Sequence, residues 1–154
     1  MNILPHLADD LCTPGYHIID NFLDEGTYQA LRCIIQEREK NGLFKQGMIG
    51  KQLTENTTVR SDHISWLDTD DETLALSRYF SAIKTLCETL NQSLFLGLTH
   101  YEAHYAVYPP NSFYKKHIDQ FATNHDRRIS CVYYLNDHWE EAFGGQLVLY
   151  DKLD

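Results

Sequence analysis

The segment YEAHYAVYPPNSFYKKHIDQF, residues 101–121, is where the hydrophobic period of the chain changes from helical to alternating. Tyr101, Ala103, Tyr105 and Val107 share one face of an extended strand, and Glu102, His104, Ala106 and Tyr108 share the other. Pro109-Pro110-Asn111-Ser112 reads as a turn, and Phe113 to Phe121 as a further short strand. Downstream, Arg128 to Leu135 is a β-branched and aromatic run, and Gly144-Gly145 opens a last strand from Gln146 to Tyr150. Upstream, Val59 to Leu67 also reads as extended, and two helices stand out. Asp24 caps a helix that presents Tyr28, Leu31, Ile34 and Ile35 on one face and stops at Asn41-Gly42. A second helix, capped by Thr69 or Asp70, carries the core-facing stripe Leu76, Phe80, Ile83, Cys87 and Leu90. Helices followed by antiparallel strands imply an α+β domain, with helices packed against one sheet of a β-sandwich or jelly roll. One domain over residues 1–154 is expected, with helical support over about 20–92 and strands over about 94–150. A closed sandwich begun at Leu94 would need roughly three or four more strands, so the domain is expected to lack its last strands in this chain.

Composition narrows the function classes. Lys and Arg total 13 against 22 Asp and Glu, a net charge of −9 that argues against nucleic acid or an anionic membrane as main partner. Apolar runs are too short to span a bilayer. MNILPHLADD lacks the basic and apolar regions of a signal peptide, and the four scattered cysteines form no C-x-x-C pair. A reduced, cytoplasmic protein is expected. Ten tyrosines suit a pocket that is both apolar and hydrogen-bonding.

His117-x-Asp119 is the candidate for chemistry. Residues i and i+2 of a strand point to one face about 6.6 Å apart, so an imidazole and a carboxylate can converge on one metal ion. That is two-thirds of the 2-His-1-carboxylate triad of non-haem Fe(II). The spacing alone is weak, since His100-x-Glu102 and His138-x-Glu140 repeat it. His100, Glu102 and His104 share a strand face, but His100 and His104 lie about 13 Å apart, too far to close on one ion, and read as cross-strand hydrogen-bonding residues. His125 and His138 lie in loops.

The blocks around His117 are more specific: VRSDHISWL (59–67), YPPNSFYKKHIDQF (108–121), RRISCVYYLND (127–137), Trp139 and FGGQLVLY (143–150). In this order they resemble the Fe(II)/2-oxoglutarate-dependent prolyl 4-hydroxylases, the soluble branch with the hypoxia-factor prolyl hydroxylases and their bacterial relatives. The resemblance implies a double-stranded β-helix, or jelly roll, with N-terminal supporting helices. It implies that His117 and Asp119 are iron ligands. Tyr134 would bind the distal carboxylate of 2-oxoglutarate, with Tyr108 and Tyr114 lining the co-substrate pocket. Arg60, Asp62 and Arg127 would lie at the mouth where a peptide substrate enters, with Asp62 and Arg127 close enough to pair. Trp66 and Trp139 would be packing positions.

The implied reaction is hydroxylation of a prolyl residue in a protein partner, using Fe(II), 2-oxoglutarate and O2, with ascorbate as a possible reductant, and releasing succinate and CO2. Two departures stand out. Asn111 or Ser112 occupies a turn where the family has glycine, and Asn tolerates the left-handed backbone. The family's distal histidine ligand and the arginine that follows it do not occur before Asp154, so the 154 residues alone are expected to turn over poorly. The alternative is a non-catalytic peptide-binding module on the same fold, without a complete iron site.

Overall fold

The computed structural model describes residues 6–49, 54–120 and 126–150. Three α-helices, α1 (Leu7–Cys12), α2 (Glu25–Lys40) and α3 (Leu74–Leu94), accompany five short strands: β1 (Lys45–Gln46), β2 (Met48–Ile49), β3 (Thr54–Glu55), β4 (His63–Trp66) and β5 (His104–Val107). The Asp24 carboxylate caps α2 by accepting from the Thr27 amide at 3.0 Å and the Thr27 hydroxyl at 2.6 Å. Gly42, at φ 66°, lies just beyond its last turn.

Helix α3 begins later than the capping residues suggest. Its N-cap is Thr73, not Thr69 or Asp70. The Asp68 carboxylate accepts from the Asp70 amide and the Asp71 carboxylate from the Thr73 amide, so these short side chains hold the backbone in turns before the helix starts. The stripe forms at Leu76, Phe80, Ile83 and Leu90, which are buried, but Leu86 takes the buried place expected of Cys87, which is half-buried. Leu76 and Phe80 pack with Leu31 of α2, and Leu86 and Leu90 pack with Leu7 of α1. Each such leucine contributes about 1.5–3 kcal/mol by leaving water.

Strand β4 is the centre of a three-stranded antiparallel sheet in the order β1-β4-β5, while β2 and β3 form a separate hairpin. Ser65 faces Tyr105 in the β4–β5 register, and both are buried. After β5, the turn over residues 109–112 closes with the Ser112 amide donating to the Pro109 carbonyl at 2.9 Å. Asn111 takes φ 66° there, the left-handed conformation that a glycine would otherwise supply. The chain then pairs again with the segment just before β4. The Ser61 amide donates to the Phe113 carbonyl at 2.8 Å and the Lys115 amide to the Val59 carbonyl at 2.9 Å, on either side of an Arg60–Tyr114 bridge.

The strands expected over 94–150 are realised only at β5 among the described residues. Residues 126–135 and 144–150 carry no ladder, because a strand needs a neighbouring backbone to satisfy its amides and carbonyls. From 129 to 135 the period is nonetheless two. Ile129, Tyr133 and Leu135 pack against the helical clusters, whereas Val132 and Tyr134 are 58% and 50% exposed. What is formed is therefore helices on a small antiparallel sheet. Phe121, the end of one expected strand, lies outside the described residues.

Candidate metal centre

The 113–115 pairing delivers His117 and Asp119 to the end of the sheet. His117 Nε2 lies 3.0 Å from Asp119 Oδ1, so the i, i+2 spacing does bring the two side chains together. The other ring nitrogen, Nδ1, lies 2.6 Å from the Lys115 carbonyl. A carbonyl only accepts, so Nδ1 carries the proton and donates. Nε2 then offers its lone pair toward a carboxylate that is itself only an acceptor, and a cation or a second proton is what joins them. An ion about 2.1 Å from both atoms would see them at about 90°, the cis angle of an octahedral site. The donor set therefore fits a divalent metal. Asp119 is oriented from its other oxygen: the Ser130 hydroxyl donates to Oδ2 at 2.6 Å. Among the described residues no group of three metal-ligating side chains forms, so these two are a pair and not a complete triad.

Behind His117 lies an aromatic and ionic stack. The imidazole lies on the Tyr114 ring, with centroids 3.6 Å apart and planes 12° from parallel. The Arg60 guanidinium covers the same ring at 4.2 Å. Arg60 in turn grips Asp62 with two bonds, Nε to Oδ1 at 2.7 Å and Nη2 to Oδ2 at 2.5 Å. That bidentate bond is the main reason the Arg60 pKa lies above its ordinary value. Burial pushes the Tyr114 phenol up, and that of Tyr108 up to about 12, with Asp62 adding to and Arg60 opposing the shift at Tyr108. Both phenols are thus neutral hydrogen-bonding groups at physiological pH.

The expected Asp62–Arg127 pair is corrected. Asp62 is 0% exposed and bound to Arg60, two residues away on the same face of the extended chain and so in reach first. Arg127 instead meets Glu102 at 2.9 Å and approaches the Asp119 carbonyl at 3.5 Å. Arg60, 8% exposed, and Asp62 are interior groups; Arg127 is on the open side. Tyr134 uses its hydroxyl on backbone, donating to the Gly145 carbonyl at 3.2 Å and accepting from the Leu147 amide at 3.1 Å. Trp139 donates to the Gly144 carbonyl at 2.7 Å, and Trp66 meets the His104 ring edge-on at 4.9 Å. His138 Nε2 lies 2.9 Å from Glu140, a local contact. His125 lies outside the described residues. Sequence reasoning missed Ser130 as a partner of Asp119, although its parity with Tyr134 pointed it to this side. It also missed Gly47, whose missing side chain makes room for Arg60: a Cβ there would collide with Arg60 Nε.

A family profile described as the 2OG-Fe(II) oxygenase superfamily matches residues 103–154, the stretch that carries both donors. Over these residues the chain is similar to this superfamily. Within it, the relatives are prolyl hydroxylases. The hypoxia-inducible factor prolyl hydroxylase of Caenorhabditis elegans is 28% identical, over 97% of this chain and 22% of its own length. Human Egl nine homolog 1 is 28% identical over 87% of this chain and 32% of its own. The chain thus spans a fifth to a third of these curated relatives. Among solved structures, a Pseudomonas putida prolyl-4-hydroxylase matches with TM-score 0.67 and 34% identity, covering 74% of this chain and 59% of the other. A Trichoplax adhaerens prolyl hydroxylase in complex with a hypoxia inducible factor peptide shares the fold, with TM-score 0.65 at 24% identity, covering 73% of this chain and 53% of the other. Oxygenases of this superfamily use Fe(II), 2-oxoglutarate and O2. Among the described residues, no helix is long and apolar enough to cross a membrane.

Proposed function

We propose that the chain is part of an Fe(II)- and 2-oxoglutarate-dependent dioxygenase that hydroxylates a prolyl residue in a protein or peptide. The observation that carries this reading is the His117–Asp119 pair, two donors 3.0 Å apart inside the stretch matched to the superfamily. The prolyl hydroxylase relatives narrow the reaction, and the peptide in the Trichoplax complex supports a peptide substrate. The full fold on this reading is a jelly roll supported by α2 and α3, in one domain, and the third metal ligand comes from outside the described residues.

Bound Fe(II) and 2-oxoglutarate would supply the oxidising chemistry, in which prolyl substrate, 2-oxoglutarate and O2 give hydroxyprolyl product, succinate and CO2. The chain's own residues hold and orient. His117 offers Nε2 because the Lys115 carbonyl keeps the proton on Nδ1. Asp119 offers Oδ1 because Ser130 occupies Oδ2. Tyr134 and the neutral Tyr108 phenol are the proposed hydrogen-bond donors to the co-substrate; for Tyr134 that means exchanging its bond to the Gly145 carbonyl. Arg127, on the open side beside Asp119, is the proposed substrate contact.

The test is succinate release by the full-length polypeptide with Fe(II), 2-oxoglutarate, ascorbate and a set of proline-containing peptides. Mass spectrometry of the peptide follows the added oxygen. Peptide-stimulated succinate formation that disappears in Asp119→Ala is expected. Peptide binding without succinate, equal in the two proteins, would instead establish a non-catalytic binding module.

A further inference from the structure

We infer that Asp62, Arg60 and Tyr114 form a stacked support that sets the orientation of the His117 imidazole, and through it the metal affinity of the site, instead of reaching a substrate. The inference rests on the metal-site reading above and assigns these three as positioning residues within it.

The stack is continuous. The imidazole lies on the Tyr114 ring at 3.6 Å, and the guanidinium covers that ring at 4.2 Å. Two planar groups at these distances would collide on one face, so the phenol ring lies between them. A cation over the ring is favourable, and a guanidinium, being planar, also stacks. The guanidinium is itself fixed on its remaining sides. Asp62 takes Nε and Nη2, the Met48 carbonyl accepts from Nη1 at 3.3 Å, and Gly47 leaves the space that the guanidinium fills. The strand carrying Arg60 and Asp62 is held in turn: the Gln46 side-chain amide donates to both their carbonyls, at 3.2 and 3.3 Å.

Burying an ion pair is not an efficient way to stabilise a fold, since desolvation offsets most of the attraction. Asp62 has no exposed surface, so its carboxylate is not offered to a peptide. A rigid planar platform under a ligand ring is what the arrangement does provide. The Lys115 carbonyl fixes one edge of the imidazole, and the Tyr114 ring fixes its plane. Together they leave Nε2 one direction, toward Asp119. Groups that orient a ligand histidine in this way typically govern about 10–100-fold in metal affinity.

The test uses the full-length polypeptide without 2-oxoglutarate, in four variants: Tyr114→Leu, Tyr114→Phe, Gly47→Ala and Asp119→Ala. Two quantities are read: Mn(II) affinity by electron paramagnetic resonance, and the metal-free NMR shifts of the His117 ring protons, which lie in the ring current of Tyr114. Tyr114→Leu should weaken Mn(II) binding by about 10–100-fold and move the ring protons downfield. Tyr114→Phe, which keeps the ring, should recover most of both losses. Gly47→Ala, which displaces the guanidinium without touching His117, should shift both in the same direction by less. If Tyr114→Leu does not fold, unchanged His117 shifts and Mn(II) affinity in Gly47→Ala overturn the inference. Affinity within about twofold in Tyr114→Leu, with binding lost in Asp119→Ala, overturns the support and leaves the metal site standing. Unchanged Mn(II) binding in Asp119→Ala overturns the metal-site reading itself.

Discussion

The helical layer and the segment over residues 126–150 are built from similar proportions of apolar residues but stand in opposite states. In the first, Leu76 is 0% exposed and Leu31 2%. In the second, Val132, Leu147, Val148 and Leu149 are each more than 55% exposed. The difference is one of partners. Helices satisfy their own backbone and need only a second helix to bury a stripe. Strands need a neighbouring backbone to pair with and a layer to cover their apolar face. Residues 129, 133 and 135 have found the helices, and the opposite face carries Tyr134 and Ser130, whose hydroxyl reaches Asp119. The candidate metal centre lies on that opposite face, away from the helices, with the buried Arg60–Asp62 pair of the sheet side behind it and its other side open.

The largest expected effect falls on the packed side of that boundary. Asp62→Ala leaves the Arg60 guanidinium buried and without its carboxylate, and should cost about 3–5 kcal/mol in urea unfolding. A cost below about 1 kcal/mol would place the pair in contact with water, on the open side. Next, Leu76→Ala should destabilise by about 2–5 kcal/mol, whereas Val132→Ala should change stability by no more than about 0.5 kcal/mol. Equal costs at the two positions would erase the contrast between the regions. The smallest effect concerns pH. The hydrogen bonds from Thr27 lower the Asp24 pKa below the ordinary value of 3.8. Its ionised form therefore stabilises α2 above that value, and the contribution is lost as pH falls through the lowered folded-state pKa. The Thr27 amide resonance should report the loss in acid, and Asp24→Asn should abolish that titration.

How much of this was legible in the residues follows the same division. The α3 stripe and the Asp24 cap were readable because helical periodicity and capping are local. The start of α3 was not, since Asp68 and Asp71 each hold an amide of the turns that precede it, and only those bonds put the first helical turn after Thr73. The period-two pattern of 129–135 was correct for the side chains, while ladder formation depended on backbone neighbours that no local pattern encodes. At the site, i, i+2 parity foretold that His117 and Asp119 meet. The same parity, applied to Arg60 and Asp62, would have shown that they pair with each other. The family resemblance had suggested Arg127 for Asp62. Gly47 carried no signal, because its role is the space it leaves for a side chain thirteen residues later.

The central claim is that His117, through Nε2, and Asp119 hold one divalent metal. Histidine-selective nitrogen NMR during titration with Zn(II), a diamagnetic stand-in for Fe(II), tests it directly. A coordination shift at His117 Nε2, with Nδ1 still protonated and bonded to the Lys115 carbonyl, is the predicted result, and Asp119→Ala should remove it. Coordination through Nδ1, or a first response at His100 or His104 with His117 unchanged, would contradict it.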